Sequence, residues 1–130
     1  MKGFRRQTAE AIIAERAQVS FASIDDLRRR VPRLSKDELK TLADLGALNP
    51  IGQQARHRRE ALWQSELALR PVGELLESAV PPEVPSPLRP MNPVERLQAD
   101  FANTGLSIGT HPMRFHRQEL DRMRVAPRRR

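Results

Sequence analysis

Apolar positions along the first seventy residues recur at helical spacing, in short runs broken by capping and turn residues. Ala9, Ile12 and Ile13 share one face of a helix over about residues 6–17. Ser23-Ile24-Asp25-Asp26 resembles a capping box, with Ser23 as N-cap and Asp26 three positions on, and opens a helix that Pro32 stops near residue 30. Ser35-Lys36-Asp37-Glu38 is a cleaner box; Leu39 and Leu42 follow on one face, and Gly46 supplies the stop. After the turn Leu48-Asn49-Pro50-Ile51-Gly52, a longer helix over about 54–69 carries Ala61, Leu62 and Leu69 around Trp63. The pattern predicts four or five short helices, arranged as two helical hairpins joined by a linker helix. The fold class expected is all-α.

Residues 71–91 break this rhythm with prolines at 71, 81, 82, 85, 87 and 90. Each proline removes a backbone donor, so a continuous helix after Val80 is excluded. One helical turn over 73–80 and then an extended, solvated linker are expected. Asn92-Pro93-Val94-Glu95 next supplies an N-cap, a proline at N1 and a glutamate at N3. Leu97 and Phe101, with Val94, form an apolar stripe, and Gly105 ends that helix. Leu106-Ser107-Ile108 reads as a short strand or a connector, and Thr110 or His111 caps a last helix over about 112–123. The division expected is 1–70, a proline-rich linker at 71–91, a helical segment at 92–123 and a basic tail at 124–130.

Charge sharpens that division. Residues 1–70 hold 14 Lys/Arg against 9 Asp/Glu, residues 71–91 hold 1 against 3, and residues 92–130 hold 8 against 4. The formal net charge of +7 fits a phosphate-bearing or acidic partner. The chain has no cysteine, which excludes disulfides and thiolate zinc sites and fits a reducing cytoplasm. No apolar run approaches the roughly 20 residues of a membrane span, so no membrane association is expected. Aromatic residues make up 4% of the chain, too few for a platform that stacks single-stranded bases.

The chemistry concentrates at the N-terminus, Met1-Lys2-Gly3-Phe4-Arg5-Arg6. A helix start offers unpaired N–H groups and the positive end of the helix dipole. Glycine permits close approach of an anion, and Lys2, Arg5 and Arg6 add charge. Lys2, Gly3, Arg5 and Arg6 are therefore candidate contacts to DNA phosphate, and Arg56, Arg58 and Arg59, in the first turns of the fourth helix, are further candidates. The stretch from Gly3 to Ile13 resembles the hairpin and second helix of a helix-hairpin-helix DNA-binding motif. Arg5 stands where that motif usually has a second glycine. The helix that precedes such a hairpin is not in the sequence, so the chain reads as a piece of something longer.

Two further blocks extend the resemblance. Leu42-Ala43-Asp44-Leu45-Gly46-Ala47-Leu48-Asn49, followed by Arg58-Arg59-Glu60-Ala61-Leu62-Trp63, is similar to the second hairpin unit of bacterial C-family DNA polymerases. These are the DNA polymerase III alpha subunits, in particular their error-prone relatives. Asn92-Pro93-Val94-Glu95-Arg96-Leu97, Asp100-Phe101, Thr104-Gly105-Leu106-Ser107-Ile108-Gly109 and His111-Pro112-Met113 are similar to the block that precedes their OB domain. The resemblance implies a tandem helix-hairpin-helix unit that grips duplex DNA behind the polymerase site in damage-tolerant synthesis and repair. It also implies that the Mg²⁺-binding palm and the OB domain lie outside this chain, which holds no cofactor and is inactive alone. Implied partners are double-stranded DNA, other polymerase domains and accessory mutagenesis proteins. The competing class is a stand-alone basic helical module that binds a protein partner.

The remaining chemistry is sparse. His57, His111 and His116 lack ligand spacing, and Asp25/Asp26 and Asp37/Glu38 sit in first helical turns, where capping explains them. Trp63 reads as core, and residues 28–30 read as a solvated face. Gln98-Ala99-Asp100-Phe101 resembles a sliding-clamp peptide, but it lies inside an amphipathic helix, so Phe101 reads as core and clamp binding is not expected.

Overall fold

The computed structural model describes residues 3–52, 57–70 and 84–124. They form six helices: α1 Arg6–Gln18, α2 Ile24–Arg30, α3 Lys36–Asp44, α4 Arg58–Ala68, α5 Pro93–Thr104 and α6 Met113–Arg122. There is no strand among the described residues, so the 106–108 stretch is a connector and the fold is all-α. The helical turn expected over 73–80 and the residues of the tail beyond 124 lie outside the described residues.

Local capping sets most helix starts. Ser23 Oγ accepts the Asp26 N–H at 3.0 Å, and Ser35 Oγ accepts the Glu38 N–H while the Glu38 carboxylate takes the Ser35 N–H in return. Asn92 and Glu95 repeat that reciprocal box at α5, with Pro93 inside the first turn. Gly105 ends α5 in the left-handed region at φ 74°. Gly46 does the same beyond α3 at φ 78°, where an added Cβ would stand 3.0 Å from Arg58 Nε. Glycine there fits both the backbone and the close passage of α4.

Two helices differ from the sequence reading. α4 starts at Arg58 rather than near residue 54, because His57 Nδ1 caps it by accepting the Glu60 N–H at 3.1 Å. The inward face of α1 is offset: Thr8, Ala11 and Ile12 turn toward the interior, while Ile13 is exposed. The positions 8, 11, 12 and 15 satisfy helical spacing as well as the apolar trio does, and packing selects them.

The core gathers Phe21, Ile24, Leu27, Val31, Leu34, Leu39, Ala43, Leu48 and Ala61, with Phe4, Ile12, Leu42 and Leu62 packed around it. α3 and α2 both lie against α4. Ala43 on α3 and Ala61 on α4 are wholly buried, and side chains this small let helices approach closely. Trp63, which the sequence places in the core, is half-buried and outside that cluster, and its Nε1 is shut from solvent without a hydrogen-bond partner among the described residues. α5 returns to lie against α3. α6 buries no side chain fully, and most of the large apolar side chains left exposed lie between Val84 and Met123.

Arginines stitch the helices together. Arg30 donates to the Glu15 and Val19 carbonyls at the end of α1, pairs with Glu15 and Asp26, and stacks over the Phe21 ring at 4.7 Å. Arg28 donates to the Ala68 carbonyl at the end of α4. Both positions were read as a solvated face; they are interhelical ties, and Arg29 alone of the three stays mostly in solvent.

Candidate nucleic-acid interface

Gly3 adopts φ 72° in an open turn with nothing within 4 Å of an added Cβ. Phe4 packs against the core and anchors the turn from below. Arg5 is extended, at φ −78° and ψ 136°, and its side chain does not cap α1. The helix start therefore keeps first-turn N–H groups without a side-chain acceptor and has no acidic residue in that turn. Arg6 stands outside, 91% exposed, and its Nε donates to Glu10 at 2.7 Å in an i,i+4 pair. Glycine turn, open helix start and exposed cation meet at one surface. That combination has the donors and the open access that an anion would need.

Beneath this surface lies a clamp. Glu38 of α3 is 2% exposed. Its carboxylate accepts the Arg5 backbone N–H at 2.9 Å, Arg5 Nε at 3.0 Å and Arg5 Nη2 at 2.7 Å, besides the Ser35 N–H and hydroxyl. Arg5 Nη2 also donates to the Arg33 carbonyl at 2.6 Å. The Arg5 guanidinium, helped by the Ser35 and Arg5 backbone N–H groups, outweighs the cost of burial and holds the Glu38 carboxyl well below the usual carboxylate range. The same contacts raise the Arg5 pKa.

Arg5 was a candidate for phosphate. The structure pairs its guanidinium with Glu38 while the side chain stays 59% exposed; standing where glycine is usual, this arginine fastens the turn to α3 and to the loop at 31–35. The candidates on α4 are committed too. Arg58 pairs with the buried Asp100 at 2.7 Å and donates to the Arg96 carbonyl. Arg59 pairs with Glu95 at 2.9 Å and donates to the Arg89 carbonyl. Both hold α5 to α4, and the Asn92 N–H and Arg59 lower the Glu95 pKa against a small burial cost. Lys2 and Arg56 lie outside the described residues. Of the candidates, Gly3 and Arg6 stand together at the open helix start, while Arg5, Arg58 and Arg59 serve as fasteners.

On α5, Asp100 is buried and Phe101 is 49% exposed, the reverse of the sequence reading of Phe101 as core. The ion pair to Arg58 fixes which face turns inward, and Leu97 is only partly covered. A shallow cavity of about 260 Å³ beside that pair is lined by Arg58, Leu97, Asp100 and Ile108 among others. No three His, Asp or Glu side chains gather into a metal-holding group among the described residues. No helix among them is long and apolar enough to cross a membrane.

The family model of the helix-hairpin-helix motif matches residues 1–61, which contain the glycine turn, the clamp and the start of α4. An error-prone DNA polymerase of Ralstonia pickettii is 42% identical over 130 residues, covering 97% of this chain. Error-prone DNA polymerases of Anaeromyxobacter sp. (40% over 128 residues, 97% of the chain) and Rhodopirellula baltica (40% over 129 residues, 95% of the chain) are similar to nearly the same extent. Over almost its whole length, this chain is similar to error-prone DNA polymerases. It spans 12% of the Ralstonia pickettii protein and 11% of each of the other two. No solved structure matches it.

Proposed function

We propose that this chain grips duplex DNA without sequence preference, as the DNA-holding segment of an error-prone polymerase acting in damage-tolerant synthesis and repair. The observation that carries the reading is the uncapped start of α1, with Gly3 in an open turn and the exposed Arg6 beside it, inside the stretch matched by the helix-hairpin-helix model. Backbone N–H groups and one or two cations contact phosphate and no base edge, so affinity is expected without sequence discrimination. Nucleotide transfer, with its Mg²⁺, belongs in this reading to other parts of such a polymerase. Contacts with further polymerase domains and accessory mutagenesis proteins are part of the same proposal.

Binding is measured by fluorescence anisotropy with short duplexes of unrelated sequence. The expected dissociation constants lie near the nonspecific range of ~10⁻⁴–10⁻⁶ M, with log K falling by about 0.9 per log unit of salt for each phosphate neutralised. Changing Lys2 and Arg6 together to glutamate is expected to remove most of the affinity. Full affinity in that variant, or a flat salt response, contradicts the reading.

The second expectation is that pure protein does not extend a primer in the presence of Mg²⁺ and all four nucleotides. In each adjacent pair of acids on α2 and α3 one carboxylate is already engaged: Asp26 by the Ala22 N–H and Arg29, and Glu38 by Ser35 and Arg5; two metal ions would need both. Templated extension by the isolated chain overturns this.

A further inference from the structure

The loop at 31–35 shows only a helix stop at Pro32 and a cap at Ser35 in the sequence, yet hydrogen bonds through Arg5 and Glu38 tie it to the N-terminal turn. Val31 and Leu34 are buried on either side, and the Leu34 N–H closes a turn on the Val31 carbonyl at 3.0 Å. Pro32 fixes one backbone angle between them. The Arg5 guanidinium holds the Arg33 carbonyl at 2.6 Å, while Glu38 holds both the Arg5 backbone and Ser35. Turn and loop are thus one hydrogen-bonded piece. Between the buried Val31 and Leu34, the Arg33 side chain is exposed and has no ion-pair partner among the described residues.

Two of the three carboxylates at this surface are already paired with arginines. The buried Glu38 carboxylate is neutralised by Arg5 and shielded from solvent. Glu10 is engaged by Arg6, and Asp37 lies in the first turn of α3, where the dipole of that helix offsets it. Among the described residues, Arg33 is an exposed arginine with no ion-pair partner. Its carbonyl is held by Arg5 and it lies between the buried Val31 and Leu34, so contact with a ligand has chiefly a side chain to order.

We propose that Arg33 is a further phosphate-binding residue, contacting the DNA backbone beside the phosphate received at Gly3 and Arg6, at a spacing set by the Arg5–Glu38 clamp. This rests on the duplex-binding reading. Arg5 is a positioning residue for it: it touches no DNA and carries Arg33 to the surface through the Arg33 carbonyl.

The test is a salt series of anisotropy titrations on the full chain with a short mixed-sequence DNA duplex. Wild type is compared with Arg33→Gln, Arg33→Lys and Arg6→Gln, and with Arg16→Gln at the far end of α1 as a charge-matched control. Arg33→Gln is expected to weaken binding several-fold and to make the salt slope shallower by about 0.9, the loss of one phosphate. Arg33→Lys, which keeps the point charge, is expected to retain most of the affinity, and Arg16→Gln is expected to leave the slope unchanged. Because Arg33 is exposed, all variants should melt as wild type does.

If Arg6→Gln weakens binding and Arg33→Gln does not, the Arg33 assignment falls while the duplex-binding reading stands. Equal losses in Arg33→Gln and Arg16→Gln mean diffuse attraction to net charge and overturn the assignment as well. Absence of salt-dependent binding in wild type defeats both.

Discussion

Replacing Glu38 with alanine is expected to destabilise the chain by ~2 kcal/mol, because it removes the buried acceptor on which several donors converge. The Arg5 and Ser35 backbone N–H groups, the Ser35 hydroxyl and two guanidinium nitrogens all converge on this carboxylate. The clamp also predicts an acid response. The folded Glu38 pKa lies below its unfolded value, ordinarily near ~4.3, so on acidification the unfolded chain takes up the proton first. The stability Glu38 contributes is therefore complete above about pH 5 and drains away as pH falls toward the folded pKa. Glu95 and Asp26, both lowered, act in the same direction. For Asp26, burial works against the shift and is outweighed by the Ala22 N–H and by Arg29 and Arg30. Asp44, raised by burial, acts in the opposite sense. Thermal melts from pH 7 to 3 are expected to show a steep loss below about pH 4.5 in wild type, and a shallower one from a lower starting stability in Glu38→Gln. Parallel curves for the two proteins would place the acid sensitivity elsewhere.

What the sequence made legible was whatever is written within four residues. The boxes at Ser35/Glu38 and Asn92/Glu95, the Ser23 cap and the stops at Gly46 and Gly105 follow from backbone groups satisfied by near neighbours, and the structure has each of them. The glycine turn before α1 was legible for the same reason. What escaped was every role assigned by a distant partner. Glu38 looks like an ordinary capping glutamate until Arg5 arrives from 33 positions away. Arg58 and Arg59 look like a basic first turn open to phosphate until Asp100 and Glu95 arrive from 42 and 36 positions away. Basic residues at a helix start attract phosphate and carboxylate by the same physics, and local sequence does not say which comes. Arg33 escaped for the converse reason: a lone arginine in a proline turn has no pattern, and its place beside the N-terminal turn exists only in the folded chain. Phe101 was misread because apolar residues were assumed to set the inward face of α5, whereas the Arg58–Asp100 pair sets it.

Removal of Asp100 is expected to have the larger local effect, because both partners are shielded from solvent: the side chains of Arg58 and Asp100 are 14% and 3% exposed. Breaking a buried pair from one side leaves an uncompensated charge, at a cost of ~3 kcal/mol. α5 lends little apolar area to its contact, with Val94 and Phe101 exposed and Leu97 partly covered, so the ion pairs to Arg58 and Arg59 carry much of its attachment. The loss should therefore appear first as detachment of α5 rather than as global unfolding. In Asp100→Ala, amide exchange across α5 is expected to accelerate by about two orders of magnitude, as ~1.4 kcal/mol per decade requires, while amides around Leu39 and Leu42 change far less. The double replacement Arg58→Met/Asp100→Leu removes the charge together with its partner and should recover most of the α5 protection. If Asp100→Ala leaves α5 exchange as slow as in wild type, the pair is incidental. Acceleration of α3 by the same factor would mean that α5 unfolds only with the core, and that residues 92–104 belong to one cooperative unit with the helices before the linker.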